Sequence, residues 1–339
     1  MAADTPDESV APDGAFPDPV VALLEQAVAG DRRALARLIS LIERGGRRAH
    51  QVGRLAYPRS GGGYVVGLTG APGSGKSTLT NALLGVVRRR SERVAVLAVD
   101  PSSPYTGGAI LGDRVRMGDH VLDDGVFIRS MATRGHLGGL SLAAPEVIRL
   151  LDAVGFGWIV VETVGVGQVE VEVAGAADTT VVVVNPGWGD AVQANKAGLM
   201  EIGDVFVVNK ADRDGAQQTV RDLQGMLDLS DRGAWRPPVL ATTATAGPDG
   251  DGVEDLWDAV AAHRRHLEAD GELAERRAER LHRELDRVVT ERIRARIDGL
   301  LGHDHRRQIE RQVTAGELDP WSAADQLLAP LGPQDSPAP

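Results

Sequence analysis

The chain has 339 residues and a formal net charge of -11 at pH 7, with an isoelectric point near 5.2. That charge argues against nonspecific nucleic-acid binding, which depends on basic patches that neutralise phosphates. The absence of cysteine excludes disulfides, thiolate metal sites and a cysteine nucleophile.

Residues 1–19 carry acids and prolines with little to bury and read as a disordered leader. They contain no basic n-region and no long apolar stretch, so neither a secretory nor a transit signal is expected. No run of roughly 18 apolar residues occurs, which excludes a membrane-spanning helix. The plain expectation is a cytoplasmic protein without a membrane partner. Residues 20–60 form a helical extension. Two short helices joined near Gly30 fit the apolar spacing, with Asp31 as an N-cap. Arg59-Ser60-Gly61-Gly62-Gly63 reads as a flexible joint.

From residue 61 to about residue 270, apolar runs alternate with helical patterns. The runs are 64–69, 93–99, 126–131, 158–164, 180–185, 204–208 and 238–243. Hydrophobic residues make up 42% of the chain and aromatics 4%, so Val, Leu, Ile and Ala must fill the core. The alternation predicts an α/β fold with a mostly parallel sheet covered by helices. Ligands of such sheets sit beyond the C-terminal ends of the strands.

Residues 70–77 read Gly70-Ala71-Pro72-Gly73-Ser74-Gly75-Lys76-Ser77, a complete phosphate-binding loop between a strand and a helix that continues into Thr78. Its glycines let successive N–H groups face an anion, and the helix N-terminus adds partial positive charge. Lys76 is placed to reach the β- and γ-phosphates, and the Ser77 hydroxyl to ligate Mg²⁺. Acids mark the later strands: Asp100 ends the second run, Asp113 lies in the segment after it, and Glu162 lies near the end of the fourth. Together they form a candidate magnesium–phosphate centre. Glu162-Thr163-Val164-Gly165 is comparable to the Asp-x-x-Gly switch of GTPases, in which the glycine N–H senses the γ-phosphate. Gln168 fits either a water-orienting amide or a solvated loop residue. Asn209-Lys210-Ala211-Asp212 matches the guanine-reading N-K-x-D. The Asp carboxylate can accept from the guanine N1–H and N2 amine, donors that adenine does not offer there. Thr243 and Ala244 occupy the place of the loop that supports the base.

Beyond residue 271, Arg and Glu are dense. Leu273, Leu281, Leu285, Val288, Val289, Ile293 and Ile297 trace one face of a long amphipathic helix. A charged helix with one apolar stripe fits a dimer arm, assigned to residues 271–330. A helix pair split near Pro320 follows the long helix. Residues 331–339 read as a disordered tail.

These motifs, in this order, resemble the MeaB-type GTPases, chaperones of adenosylcobalamin-dependent methylmalonyl-CoA mutase. Further marks are Val99-Asp100-Pro101-Ser102-Ser103, Gly112-Asp113-Arg114-Val115-Arg116-Met117, Arg129-Ser130-Met131-Ala132-Thr133-Arg134-Gly135 and Gly189-Asp190-Ala191-Val192-Gln193-Ala194-Asn195-Lys196. The resemblance spans roughly residues 20–330. It implies a homodimer, GTP and GDP as ligands, and Asp100, Asp113 and Glu162 around Mg²⁺. It also implies an additional switch loop carrying Asp190, Gln193 and Lys196, and a mutase partner whose cofactor loading is gated. Arg114 and Arg116 fit contacts to phosphate or to the partner. Two other classes are open: a metallochaperone GTPase for a nickel enzyme, which the lack of cysteine and of a His-rich tract disfavours, and a kinase linked to amino-acid transport.

Overall fold

The computed structural model describes residues 18–100, 120, 122–132, 143–163, 175–187, 193–229 and 233–332, without the side chains of Asp100, Ala132, residues 193–197 and His303. Helices come first. α1 (Pro19–Val28) begins with proline, and the Asp18 carboxylate accepts from Val20 N at 2.9 Å. α2 (Arg32–Arg44) is capped as expected: Asp31 Oδ1 accepts from Arg33 N at 2.7 Å and Ala34 N at 3.2 Å. The apolar spacing runs α2 into α3 (Gly46–Ala56), yet the two are separate helices. The chain turns at Gly45 and Gly46, with φ of 72° and 79°, a conformation that costs glycine little.

Seven strands follow: β1 (Tyr64–Thr69), β2 (Val94–Asp100), β3 (Val126–Ala132), β4 (Trp158–Thr163), β5 (Thr179–Val184), β6 (Val205–Asn209) and β7 (Val239–Thr242). Each falls on one of the seven apolar runs. They form one sheet in the order β3-β2-β4-β1-β5-β6-β7, and every pairing is parallel. Strands β1, β4 and β5 are buried at every position. That is why they read as continuous Val-rich runs rather than alternating ones.

Both faces of the sheet are covered. On one, Leu79 and Leu83 of α4 (Lys76–Arg89) and Trp257 of α8 (Val253–Ala269) pack against Val66, Val96 and Val160. On the other, Leu38 and Ile39 of α2 and Leu151 of α5 (Ala143–Ala153) pack against Val65, Leu97 and Val161. A third cluster joins α6 (Gln193–Ile202) and α7 (Ala216–Asp228) to β5 and β6 through Leu199, Leu223, Val182 and Phe206.

Glycines 61–63 are not a loose joint. Asp152 holds them, its Oδ2 accepting from Gly61 N at 2.5 Å and its Oδ1 from Gly63 N at 2.7 Å. A Cβ on Gly63 would lie 3.0 Å from that carboxyl, a tight approach that a side chain there would have to relieve. The base of the sheet is fixed by buried polar contacts. The Tyr64 hydroxyl lies 2.7 Å from Thr179 Oγ1, which lies 2.8 Å from His263 Nδ1. Asp178 Oδ2 accepts from Val65 N at 2.9 Å. Burial pushes the Tyr64 phenol well above its ordinary pKa. These contacts set β1 against β5 at the end opposite the phosphate loop.

By packing, the chain divides into two units, residues 1–273 and 274–339. The second contains most of α9 (Glu272–Thr314) and all of α10 (Pro320–Leu328). The path of α9 breaks at Gly302, with φ 72° and ψ 154°. Four members of its predicted apolar stripe, Leu281, Leu285, Val289 and Ile293, are exposed. Asp319 caps α10, with Pro320 at its first position. No helix among the described residues is long and apolar enough to cross a membrane.

Leu83 is 2% exposed in the centre of the first face. Leu83→Ala is expected to lower stability by about 3 kcal/mol through lost burial and a residual cavity. Leu281→Ala, on an exposed helix face, is expected to cost less than about 1 kcal/mol. Urea unfolding of the two variants beside the parent checks the contrast.

Candidate nucleotide site

The parallel sheet brings the loops after β1, β4, β6 and β7 to one edge. The loop after β1 closes tightly. Gly70 has φ 137°, and a Cβ there would sit 2.0 Å from the Val183 carbonyl of β5. Gly75 has φ 92°, and a Cβ there would meet the Asn209 amide nitrogen at 2.4 Å. Both glycines are required by close approach as well as by backbone conformation.

Helix α4 starts directly from this loop. Gly75 is its N-cap in a left-handed conformation, and no side chain caps the helix. The first-turn N–H groups therefore point out of the helix toward the loop without a side-chain acceptor, the arrangement that receives phosphate. The Ser74 hydroxyl is buried in the loop with no hydrogen-bond partner among the described residues. An orphaned buried hydroxyl beside a helix N-terminus that no side chain caps fits a polyphosphate chain. Lys76 is buried; its Nζ donates to Gly70 O at 2.5 Å and Ala71 O at 3.1 Å. The ammonium is thereby held across the loop.

Glu162 is the last residue but one of β4 and is 1% exposed. Its Oε1 accepts from Ser77 Oγ at 2.5 Å and its Oε2 from Thr80 Oγ1 at 2.8 Å. Ser77 spends its hydroxyl proton on this acid, which leaves the oxygen lone pairs to a hard cation such as Mg²⁺. The donor chemistry thus fits the expected metal. Thr80 is a site residue that motif reading missed. It lies one helical turn after Lys76, on the face that also presents Ser77, so helical spacing carries the signal.

The second motif folds back onto the first. Asn209, at the end of β6 and 2% exposed, donates from Nδ2 to Ser74 O at 2.9 Å. Its Oδ1 lies 3.2 Å from the donating Thr242 Oγ1 and 3.4 Å from Ala244 N. Lys210, at φ 62°, donates from Nζ to Gly73 O at 2.6 Å. Ala211 N donates to Thr242 O, and Thr243 N to Asp251 O, both at 3.0 Å. Asp212 is exposed in the turn that follows.

Among the predicted site residues, the phosphate loop, Glu162, Asn209 and Lys210 are thus joined by direct hydrogen bonds, with Thr243 and Ala244 attached through β7. Asp100 ends β2 beside β4, its side chain outside the description. Asp113, Gly165, Gln168 and Asp190 lie outside the described residues, as do Arg114 and Arg116. Gln193 and Lys196 fall in the first turns of α6, their side chains also outside the description.

Asn209→Ala leaves the buried Ser74 carbonyl without its donor. It is expected to destabilise the protein by about 1–3 kcal/mol and to weaken guanine-nucleotide binding at the same time. Thermal melting with and without GDP measures both. An unchanged melting temperature would show that the clasp contributes nothing.

Comparison with known proteins places this geometry in a family. The family profile described as methylmalonyl Co-A mutase-associated GTPase MeaB matches residues 35–300. A relative from Pyrococcus abyssi is 49% identical over 310 residues, 90% of this chain and 95% of that protein. The GTPase ArgK of Escherichia coli is 37% identical over 72% of this chain and 76% of its own length. The mitochondrial methylmalonic aciduria type A homolog of Mus musculus is 33% identical over 89% of this chain and 77% of its own length. A crystal structure of a LAO/AO transport system kinase superposes with a TM-score of 0.69 at 26% identity, covering 93% of this chain and 99% of that one. The chain belongs to the MeaB family and is a P-loop GTPase.

Proposed function

We propose that this GTPase is Mg²⁺-dependent and acts as a chaperone of an adenosylcobalamin-dependent acyl-CoA mutase, of the methylmalonyl-CoA mutase class, gating cofactor loading. The observation that carries the switch reading is the bond from Ser77 to Glu162. It links the phosphate loop directly to the strand that leads into Thr163-Val164-Gly165. A change at the γ-phosphate is then passed to β4 through one short hydrogen bond. The mutase partner rests on the family description and on the relative named for methylmalonic aciduria.

In this reading water attacks the γ-phosphate in line. Lys76 and the first N–H groups of α4 hold the phosphate oxygens and stabilise the charge that develops. Ser77, with Asp100, Asp113 and Glu162, would hold Mg²⁺, which would supply positive charge against the charge that develops on the phosphate. Glu162 acts on that centre by orienting the Ser77 hydroxyl. Asn209 and Lys210 brace the loop, and Asp212 reads the guanine edge. Gly165, Asp190, Gln193 and Lys196 form the moving parts. The exposed stripe of α9 supports a homodimer built on residues 271–330, beside a GTPase domain of residues 61–270 and a helical extension of residues 20–60.

The kinase name carried by the similar crystal structure favours one second reading, transfer of the γ-phosphate to a protein. Labelled γ-phosphate separates the two: recovery as inorganic phosphate supports hydrolysis, and label on protein supports the kinase. For the partner, capture of an acyl-CoA mutase from native extract by the GTP-bound protein is expected, and its absence would count against the chaperone role.

Asp212→Asn removes the carboxylate and presents an amide to the base. GTP affinity is expected to fall about 10- to 100-fold, the loss of one or two charge-assisted hydrogen bonds. Xanthosine triphosphate is expected to bind the variant better than GTP. Equilibrium titration with both nucleotides checks this, and unchanged GTP affinity would remove Asp212 from the site.

A further inference from the structure

A cavity of about 390 Å³ opens among α1, α2, α3 and β3. It lies on the sheet face covered by α2 and α5, opposite the face covered by α4. Four arginines line it: Arg37 and Arg44 from α2, Arg48 from α3 and Arg129 from β3. Its apolar wall is made by Val20, Leu23 and Leu41. In a chain of net charge -11, four cations converging on one concavity is a local reversal of sign.

The acids nearby do not neutralise it. Glu43 is engaged by Arg129, whose Nη2 donates to it at 2.6 Å and to Ser40 Oγ at 3.3 Å. Asp18 accepts from Val20 N and from Gln51, and lies within reach of the Arg48 charge. Among the described residues, these two acids against four arginines leave two positive charges. Arg37, Arg44 and Arg48 make no hydrogen bond or ion pair among the described residues. Arginines on neighbouring elements do: Arg59 pairs with Glu25, Arg88 with Asp123, Arg89 with Asp249 and Arg90 with Asp258. Arg44 also sits in the last turn of α2, where it complements the helix dipole. That role accounts for one of the four. Arg129 Nε is buried with no partner among the described residues, and a buried guanidinium donor left unmatched needs an acceptor.

We propose that this cavity is a second anion site, separate from the phosphate loop, that takes a small phosphate-ester dianion or larger polyanion bearing an apolar portion. Guanidinium forks match phosphate oxygens in shape and hydrogen-bonding pattern. Here they arrive from three different elements. That arrangement suits a tetrahedral group approached from several sides better than a planar carboxylate met by one fork. The volume falls in the range of small-molecule pockets, and the apolar wall has room for an uncharged part.

The test uses the full chain saturated with a non-hydrolysable GTP analogue, so that the phosphate loop is filled. Inorganic pyrophosphate is titrated in by calorimetry, with citrate as the carboxylate arm. One additional pyrophosphate site per chain is expected, with citrate weaker. In Arg37→Ala/Arg48→Ala, whose positions are exposed and outside the nucleotide site, pyrophosphate affinity is expected to fall at least about tenfold. Affinity for the GTP analogue and the circular dichroism spectrum should not change. No pyrophosphate uptake by the analogue-saturated protein, equal uptake by the double variant, or tighter binding of citrate would each overturn the assignment.

Discussion

One buried amide holds the nucleotide site together. Asn209 reaches from the end of β6 to the Ser74 carbonyl and takes hydrogen bonds from Thr242 and Ala244 in return. It therefore couples the loop that grips phosphate to the loops that face the base. The contact is close enough to exclude any side chain at position 75, since a Cβ there would collide with the amide. Gly75 is thus demanded by the side chain at the end of β6 as well as by its own backbone conformation. Lys210 repeats the tie at Gly73. The two motifs are thus joined by direct hydrogen bonds within the chain itself.

The second coupling runs the other way. Ser77 and Thr80 on α4 both donate to Glu162 at the end of β4. A carboxylate buried this deeply is stable only with such donors. The two bonds tie the end of β4 to the first turns of α4. In the proposed mechanism this geometry makes Glu162 the transmitter from Ser77 to β4. Glutamate in place of aspartate gives the side chain one more carbon of reach toward the helix.

Much of this was legible in the residues. Buried parallel strands need both faces apolar, so strands such as β1 and β5 stand out as near-continuous apolar runs. Asp31 sits where a cap must sit, and Lys76-Ser77 follow their glycine at the only useful offset. What escaped depends on partners far apart in the chain. Asp152 ties down Gly61 and Gly63 from 89 or more positions away, and nothing local marks it. The break at Gly45 is masked because the apolar spacing continues through it. Thr80 belongs to no motif and is found only by tracing the helix face. The arginine cavity assembles from α2, α3 and β3, and no stretch of sequence presents it whole. Asp113, Gly165 and Asp190 lie outside the described residues, so their roles rest on motif and family alone.

In the proposed function the nucleotide site is a switch read by another protein. The most direct measurement is steady-state GTP turnover by the purified chain, alone and with an acyl-CoA mutase of the methylmalonyl-CoA type. Slow turnover alone and an increase of at least about tenfold with the mutase are predicted, the scale on which a partner that completes a GTPase site acts. Fast turnover alone, unaltered by the mutase, would contradict it.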